Sequence, residues 1–135
     1  MSGEGLISVR LPGSLLAAFQ AARERQGITA HEAARRLLSW LSDLSGEDLR
    51  ALGDPSTEQD APRLSLYVGW PGVDRLDSAV RRSGLSRSAI LRRLLYGLLV
   101  SGSLQYVQLA GKKRLQRFSV QSHSRDVAKP AVLRM

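Results

Sequence analysis

Arginine supplies 17 of the 20 basic residues in this 135-residue chain. Its planar guanidinium makes paired hydrogen bonds to a phosphate or to guanine, where lysine offers a point charge. Catalytic chemistry is harder to assemble. The two histidines, His31 and His123, stand in unrelated contexts, with no metal-ligand cluster around either. The absence of cysteine excludes a disulfide framework, a thiolate metal site and a cysteine nucleophile together. Gly111-Lys112-Lys113 lacks the upstream glycine and the Ser/Thr of a phosphate-binding loop. Serine, histidine and aspartate all occur, yet in no motif that would build a triad. These residues predict no enzyme, no cofactor and no metal.

Net charge is +8 and the isoelectric point is near 11.0, which points to an anionic partner: most often nucleic acid, sometimes a membrane surface. The charge is unevenly placed. Residues 1–57 carry six basic and seven acidic side chains, residues 58–102 seven and four, and residues 103–135 seven and one. Three-quarters of the excess therefore lies in the last segment. No signal-peptide pattern opens the chain, and its most apolar stretch, Ala89–Val100, is interrupted by Arg92 and Arg93. The expectation is a soluble cytoplasmic protein with no membrane partner.

The elements that must position these side chains emerge from an internal repeat. Leu6–Ser45 superposes on Arg63–Gly102 without a gap, at an offset of 57. Ser8 falls on Ser65, Ala22 on Ala79, Arg25 on Arg82, Gly27 on Gly84 and Leu41 on Leu98; Arg35-Arg36-Leu37-Leu38 falls on Arg92-Arg93-Leu94-Leu95. Each copy opens on an alternating segment, Ile7–Leu11 or Leu64–Val68, which predicts a strand with one buried face. A breaker follows, Pro12-Gly13 or Gly69-Trp70-Pro71-Gly72. Next comes a helix of about 12 residues, with its apolar stripe at Leu16, Phe19 and Ala22, or at Val73, Leu76, Ala79 and Val80. Gly27 and Gly84 sit where a helix C-terminus wants a left-handed residue. Thr29 and Ser86 are good N-caps, and Thr29-Ala30-His31-Glu32 fits a capping box. The second helix carries Ala33, Leu37, Leu38, Leu41 and Leu44 in copy one, and Ile90, Leu91, Leu94, Leu95 and Leu98 in copy two.

One such unit is too small to bury its own apolar faces, and its lone strand has no partner. Two copies solve both problems if the strands pair antiparallel and four helices enclose one core. This strand, breaker, helix, G-[IL]-[ST] turn and RRLL-containing helix, in tandem, resembles the ribbon-helix-helix (Arc/MetJ) superfamily of DNA-binding proteins. The single-chain duplication is similar to that of relaxosome accessory proteins of conjugative elements. The resemblance implies a mainly α fold with a two-stranded β-ribbon, an intramolecular pseudo-dimer acting as a transcriptional regulator or mobile-element accessory factor. It also implies that the ribbon enters the major groove of double-stranded DNA. Residue parity then selects Ser8, Arg10, Arg63, Ser65 and Tyr67 as base readers. Helix N-termini offer phosphate sites at Thr29, Ala30 and His31, and at Ser86, Arg87 and Ser88. The stems of some of the Arg35-Arg36 and Arg92-Arg93 side chains are expected to cover apolar surface instead. Two unlike half-ribbons imply an asymmetric site, with a second copy of the chain needed for adjacent half-sites.

The organisation expected is copy one over 1–45, an acidic linker over 46–62, copy two over 63–102 and a basic extension over 103–135. The linker is expected mainly to join the copies, with a helical turn or two at Glu47–Leu52 and a turn at Asp54-Pro55-Ser56-Thr57. Leu104–Leu109 and Arg114–Val120 suggest a hairpin turning at Ala110-Gly111-Lys112, with a flexible end from Gln121 onward. Lys112, Lys113, Arg114 and Arg117 are candidate tail contacts to DNA phosphate or to a protein. The rival reading is an antitoxin-type protein-interaction module whose basic tail engages an acidic partner.

Overall fold

The computed structural model describes residues 5–55, 62–109 and 112–117. It is mainly helical, with two small two-stranded antiparallel sheets. In chain order the elements are β1 (Leu6–Arg10), α1 (Gly13–Gln26), α2 (Ala30–Ser39), a 3-10 turn at Leu41–Asp43, α3 (Gly46–Ala51), β2 (Arg63–Tyr67), α4 (Gly69–Ser83) and α5 (Arg87–Leu95). A wider π-type turn, Tyr96–Val100, prolongs α5, and β3 (Leu104–Leu109) and β4 (Lys112–Arg117) follow.

β1 pairs antiparallel with β2, so strands far apart in sequence close one ribbon. The alternation separates its faces: Ile7, Val9 and Leu66 are buried, with Leu11 and Val68 just beyond the strands, and Leu64 is half-buried. A single apolar cluster runs from this inner face through Leu15, Phe19 and Ala22 of α1, Leu37 and Leu38 of α2, Leu76 and Ala79 of α4, and Leu91, Leu94 and Leu95 of α5. Gly27 (φ 67°) and Gly84 (φ 76°) end α1 and α4 in the left-handed region, which a residue without Cβ enters at little cost. Thr29 Oγ1 accepts from the Glu32 N–H and Ser86 Oγ from the Ala89 N–H, each at 3.1 Å, opening α2 and α5.

Several sequence expectations need correction. Leu15, not Leu16, is the buried residue opening the α1 stripe; Leu16 is half-buried. α4 begins at Gly69 and passes through the predicted breaker, because Pro71 falls in the first turn, where its missing N–H has no intrahelical partner to lose. α2 stops at Ser39, and Leu41 and Leu44 reach the core from the 3-10 turn that follows. Only half of the capping box forms at Thr29, because the Glu32 carboxylate bonds Arg35 and Arg36 instead. A complete box closes one helix later, where Ser45 and Asp48 exchange hydrogen bonds at 3.0 Å.

The acidic segment after copy one holds the helical turn or two expected at Glu47–Leu52. It builds α3, whose Leu49 is fully buried, and Leu52 behind it is 3% exposed. Arg82 fixes this region to α4: its Nη2 donates to the Leu41 carbonyl at 2.6 Å and its Nε to the Leu44 carbonyl at 3.1 Å. Arg25, its counterpart in the repeat, is exposed. Arg82→Ala would strip this donor from the Leu44 carbonyl and leave the Leu41 carbonyl only the Leu44 N–H at 3.0 Å, and is expected to cost about 1–3 kcal/mol in denaturant unfolding. Arg25→Ala should stay within about 0.5 kcal/mol.

β3 and β4 pair from Leu104↔Arg117 to Leu109↔Lys112, and Leu104 and Leu115 join the core. This sheet docks on the 3-10 turn: the Leu115 N–H donates to Asp43 Oδ2 at 3.0 Å, and Trp40 and Tyr106 pack with ring centroids 4.8 Å apart. The predicted turn at Ala110-Gly111, residues Ser56-Thr57 of the predicted linker turn, and the chain from Phe118 onward lie outside the described residues. No helix among the described residues is long and apolar enough to cross a membrane.

Candidate nucleic-acid interface

The outward face of the ribbon gathers three cross-strand pairs in a row: Leu6↔Tyr67, Ser8↔Ser65 and Arg10↔Arg63. All six residues are exposed, so Ser8, Arg10, Arg63, Ser65 and Tyr67 share one surface. Leu6 was not singled out in the sequence, although the same parity places it there. It is 43% exposed opposite Tyr67 at 50%, and Trp70, at the start of α4, is 56% exposed. The face is thus polarised: a ring and an aliphatic chain at one end, serine hydroxyls in the centre, and two guanidiniums at the other. Arg63 Nη1 donates to Ser8 Oγ at 3.3 Å, tying the basic end to the centre.

Two like charges directly opposite on a ribbon repel each other and weaken the pairing. An anion or an acceptor-rich surface laid across Arg10 and Arg63 would remove that repulsion.

α2 starts beside the apolar end of this row. The Tyr67 N–H donates to His31 Nδ1 at 2.8 Å, and Arg35 Nη1 donates to the Tyr67 carbonyl at 3.4 Å. His31 is therefore an acceptor at Nδ1, clipping the helix start to the strand. Its neutral ring carries the proton on Nε2.

The two helix starts differ in what they offer an anion. At α2, Thr29 and Ala30 are followed by Glu32, whose negative charge already occupies the positive end of the helix dipole. The Arg35 and Arg36 guanidiniums hydrogen-bond this exposed carboxyl, and Arg35, with the larger effect, holds it furthest below the usual carboxylate range. A carboxyl lowered in this way favours the folded state above its ordinary midpoint, and that contribution is lost as pH falls through the lowered one. In carboxyl-carbon NMR, replacing Arg35 and Arg36 together by alanine should move the Glu32 titration midpoint back up to its ordinary value. At α5, Ser86, Arg87 and Ser88 have no acid in the first turn. Arg87 there is committed in part: Nε and Nη2 form a fork on Asp77 of α4 at 2.9 and 3.0 Å. The second copy offers the stronger anion position, and the first a self-neutralised one.

The RRLL arginines of the second copy are spent within the molecule. Arg92 pairs with Asp54 at 3.1 Å, and Arg93 Nη1 donates to the Arg50 and Leu52 carbonyls at 3.0 and 2.8 Å. The candidate tail residues lie elsewhere: α2 leaves the ribbon at His31 and reaches the second sheet at Trp40, a helix of ten residues, roughly 15 Å at 1.5 Å per residue. On that sheet Arg114 pairs with Asp43 at 3.8 Å and Arg117 with Asp48 at 3.9 Å, while Lys112 and Lys113 are exposed.

Fold and site together define a mainly helical protein that presents a polar ribbon face, with one helix start clipped beside it. No family model, curated protein or solved structure matches the chain.

Proposed function

We propose that this chain is a sequence-specific double-stranded DNA-binding protein of tandem ribbon-helix-helix type. Its ribbon lies in the major groove, and it acts as a transcriptional regulator or a mobile-element accessory factor. One observation carries the reading. Ser8 and Ser65, which superpose in the sequence repeat, also face each other across the ribbon, and this supports reading the two copies as the halves of a pseudo-dimer. Beside them, the outward pairs carry the groups that read a major groove. A guanidinium makes bidentate bonds to guanine O6 and N7, serine hydroxyls donate or accept, and apolar groups meet the thymine methyl.

The polarised face supports an asymmetric target, with G·C pairs under Arg10 and Arg63 and thymine methyls under Leu6 and Tyr67. A second copy of the chain on an adjacent site would extend the footprint by one helical turn. The test is selection of bound sequences from random duplexes with the full chain at two salt concentrations. An asymmetric motif of this polarity supports the reading, and recovery of unselected sequence overturns it. For Lys112 and Lys113, the position of β4 beyond the far end of α2 favours an acidic protein partner over phosphate contacts beside the ribbon.

A further inference from the structure

Where α2 ends, the second sheet leaves a cleft of about 320 Å³. Its walls include Gln26, Arg36, Ser39, Trp40, Tyr106 and Lys113. We propose that this cleft binds a small molecule with a planar aromatic body and one anionic group.

The composition of the walls selects that chemistry. The volume lies at the low end of the roughly 300–1,000 Å³ of small-ligand sites and far below what a duplex or a folded partner needs. Two rings, Trp40 and Tyr106, inclined at 44°, give a planar molecule an aromatic wall. Lys113 and Arg36, the latter paired with Glu32 at its Nε, share the same space, and no acidic side chain lines it among the described residues. A metal ion or an organic cation would be repelled there. Lys113 Nζ stands 5.7 Å from the Tyr106 ring centroid. Arg36 is held in place before any ligand arrives, by Glu32 at 3.2 Å and Gln26 at 3.4 Å, so little ordering is left for binding to impose.

The repeat shows that the fold does not require this arrangement. Trp40 corresponds to Gly97 in the second copy, where an added Cβ would come within 3.0 Å of the Leu104 side chain. Arg36 corresponds to Arg93, whose guanidinium is spent on the Arg50 and Leu52 carbonyls. The cleft is built from positions at which the copies diverged. Its two rings, Trp40 and Tyr106, stand beyond the C-terminal end of α2, whereas His31 clips the other end of that helix to the ribbon.

The experiment uses the full chain carrying Trp70→Phe, which leaves Trp40 as the sole tryptophan of the two. Two probes are titrated while energy transfer from Trp40 is followed: 8-anilinonaphthalene-1-sulfonate and its uncharged counterpart N-phenyl-1-naphthylamine. The sulfonate is expected to saturate at one site per chain and to bind at least tenfold tighter than the neutral probe. Lys113→Glu, at an exposed position, should weaken sulfonate binding at least tenfold with the far-UV circular dichroism unchanged. Arg36→Gln serves as the second variant if the first perturbs folding, with the same loss expected. Equal affinity for the two probes, affinity indifferent to both substitutions, or no saturation up to millimolar probe would overturn the proposal.

Discussion

Arg10→Ala is expected to lower affinity for the selected DNA site by about 1–3 kcal/mol, to relax base preference at one end of that site, and to change the stability of the fold by no more than about 0.5 kcal/mol. At 1.4 kcal/mol per decade, most of that range is tenfold or more in dissociation constant. The two halves of this expectation rest on the same geometry. Arg10 stands directly opposite Arg63 on an exposed face, and like charges in that relation cost pairing energy. Removing Arg10, an exposed residue, leaves the core of the free protein untouched while deleting a bidentate donor in the complex. Loss of binding without loss of stability distinguishes a reader from a structural residue, and fluorescence anisotropy with parallel urea unfolding measures both. Ser8→Ala makes the internal comparison, since Ser8 accepts from Arg63 at 3.3 Å and brings no charge of its own. If Arg10→Ala leaves affinity and base preference untouched, the ribbon does not read DNA. A Lys112→Ala variant on the distant β4 should leave both unchanged, because the second sheet docks at the other end of α2.

How much of this was legible in the sequence depends on where the information is stored. The strand faces, the left-handed glycines and the two N-caps are local: each follows from residue types within a few positions, and the repeat stated each of them twice. Position Leu6 followed from the same parity but lay at the edge of the alternating run, where an apolar residue was easily taken as the run's beginning. Arg82 and Arg25 look identical in the aligned copies. Their roles part only because Leu41 and Leu44 present carbonyls to one of them, a contact 38 to 41 residues away in sequence. The same holds for Asp43: nothing nearby in the chain announces that its carboxylate will receive the Leu115 N–H. Tandem equivalence supports statements about backbone form and apolar faces. It does not extend to side chains whose partners lie outside the repeat, and the starts of α2 and α5, one with Glu32 in its first turn and the other with no acid there, show how far two matched positions diverge.

Leu49→Ala should destabilise the chain by about 2–5 kcal/mol, the range for emptying a leucine-sized volume in a packed core. Against a total of roughly 5–15 kcal/mol for a domain, that is a large share. Composition pointed the other way, because Glu47, Asp48, Asp54, Glu58 and Asp60 make the segment look like a solvated tether. Its two leucines matter more than its acids. Leu49 is fully buried and Leu52 nearly so, and Gly46 packs so closely on the Arg82 carbonyl that a Cβ there would overlap it. Hydrogen bonds pin the helix from both sides: Arg50 Nη1 donates to the Ser83 carbonyl at 3.1 Å, and Arg93 Nη1 donates to the Arg50 and Leu52 carbonyls. α3 thus wedges between the end of α4 and the side of α5, and its loss would loosen both helices of the second copy. Glu47→Ala, an exposed position on the same helix, is expected to stay within about 0.5 kcal/mol. Urea unfolding of the two variants separates the possibilities: a cost below about 1 kcal/mol for Leu49→Ala would make the segment a tether after all. A cost in the full range makes it part of the core that holds the two strands, and hence Arg10 and Arg63, in register.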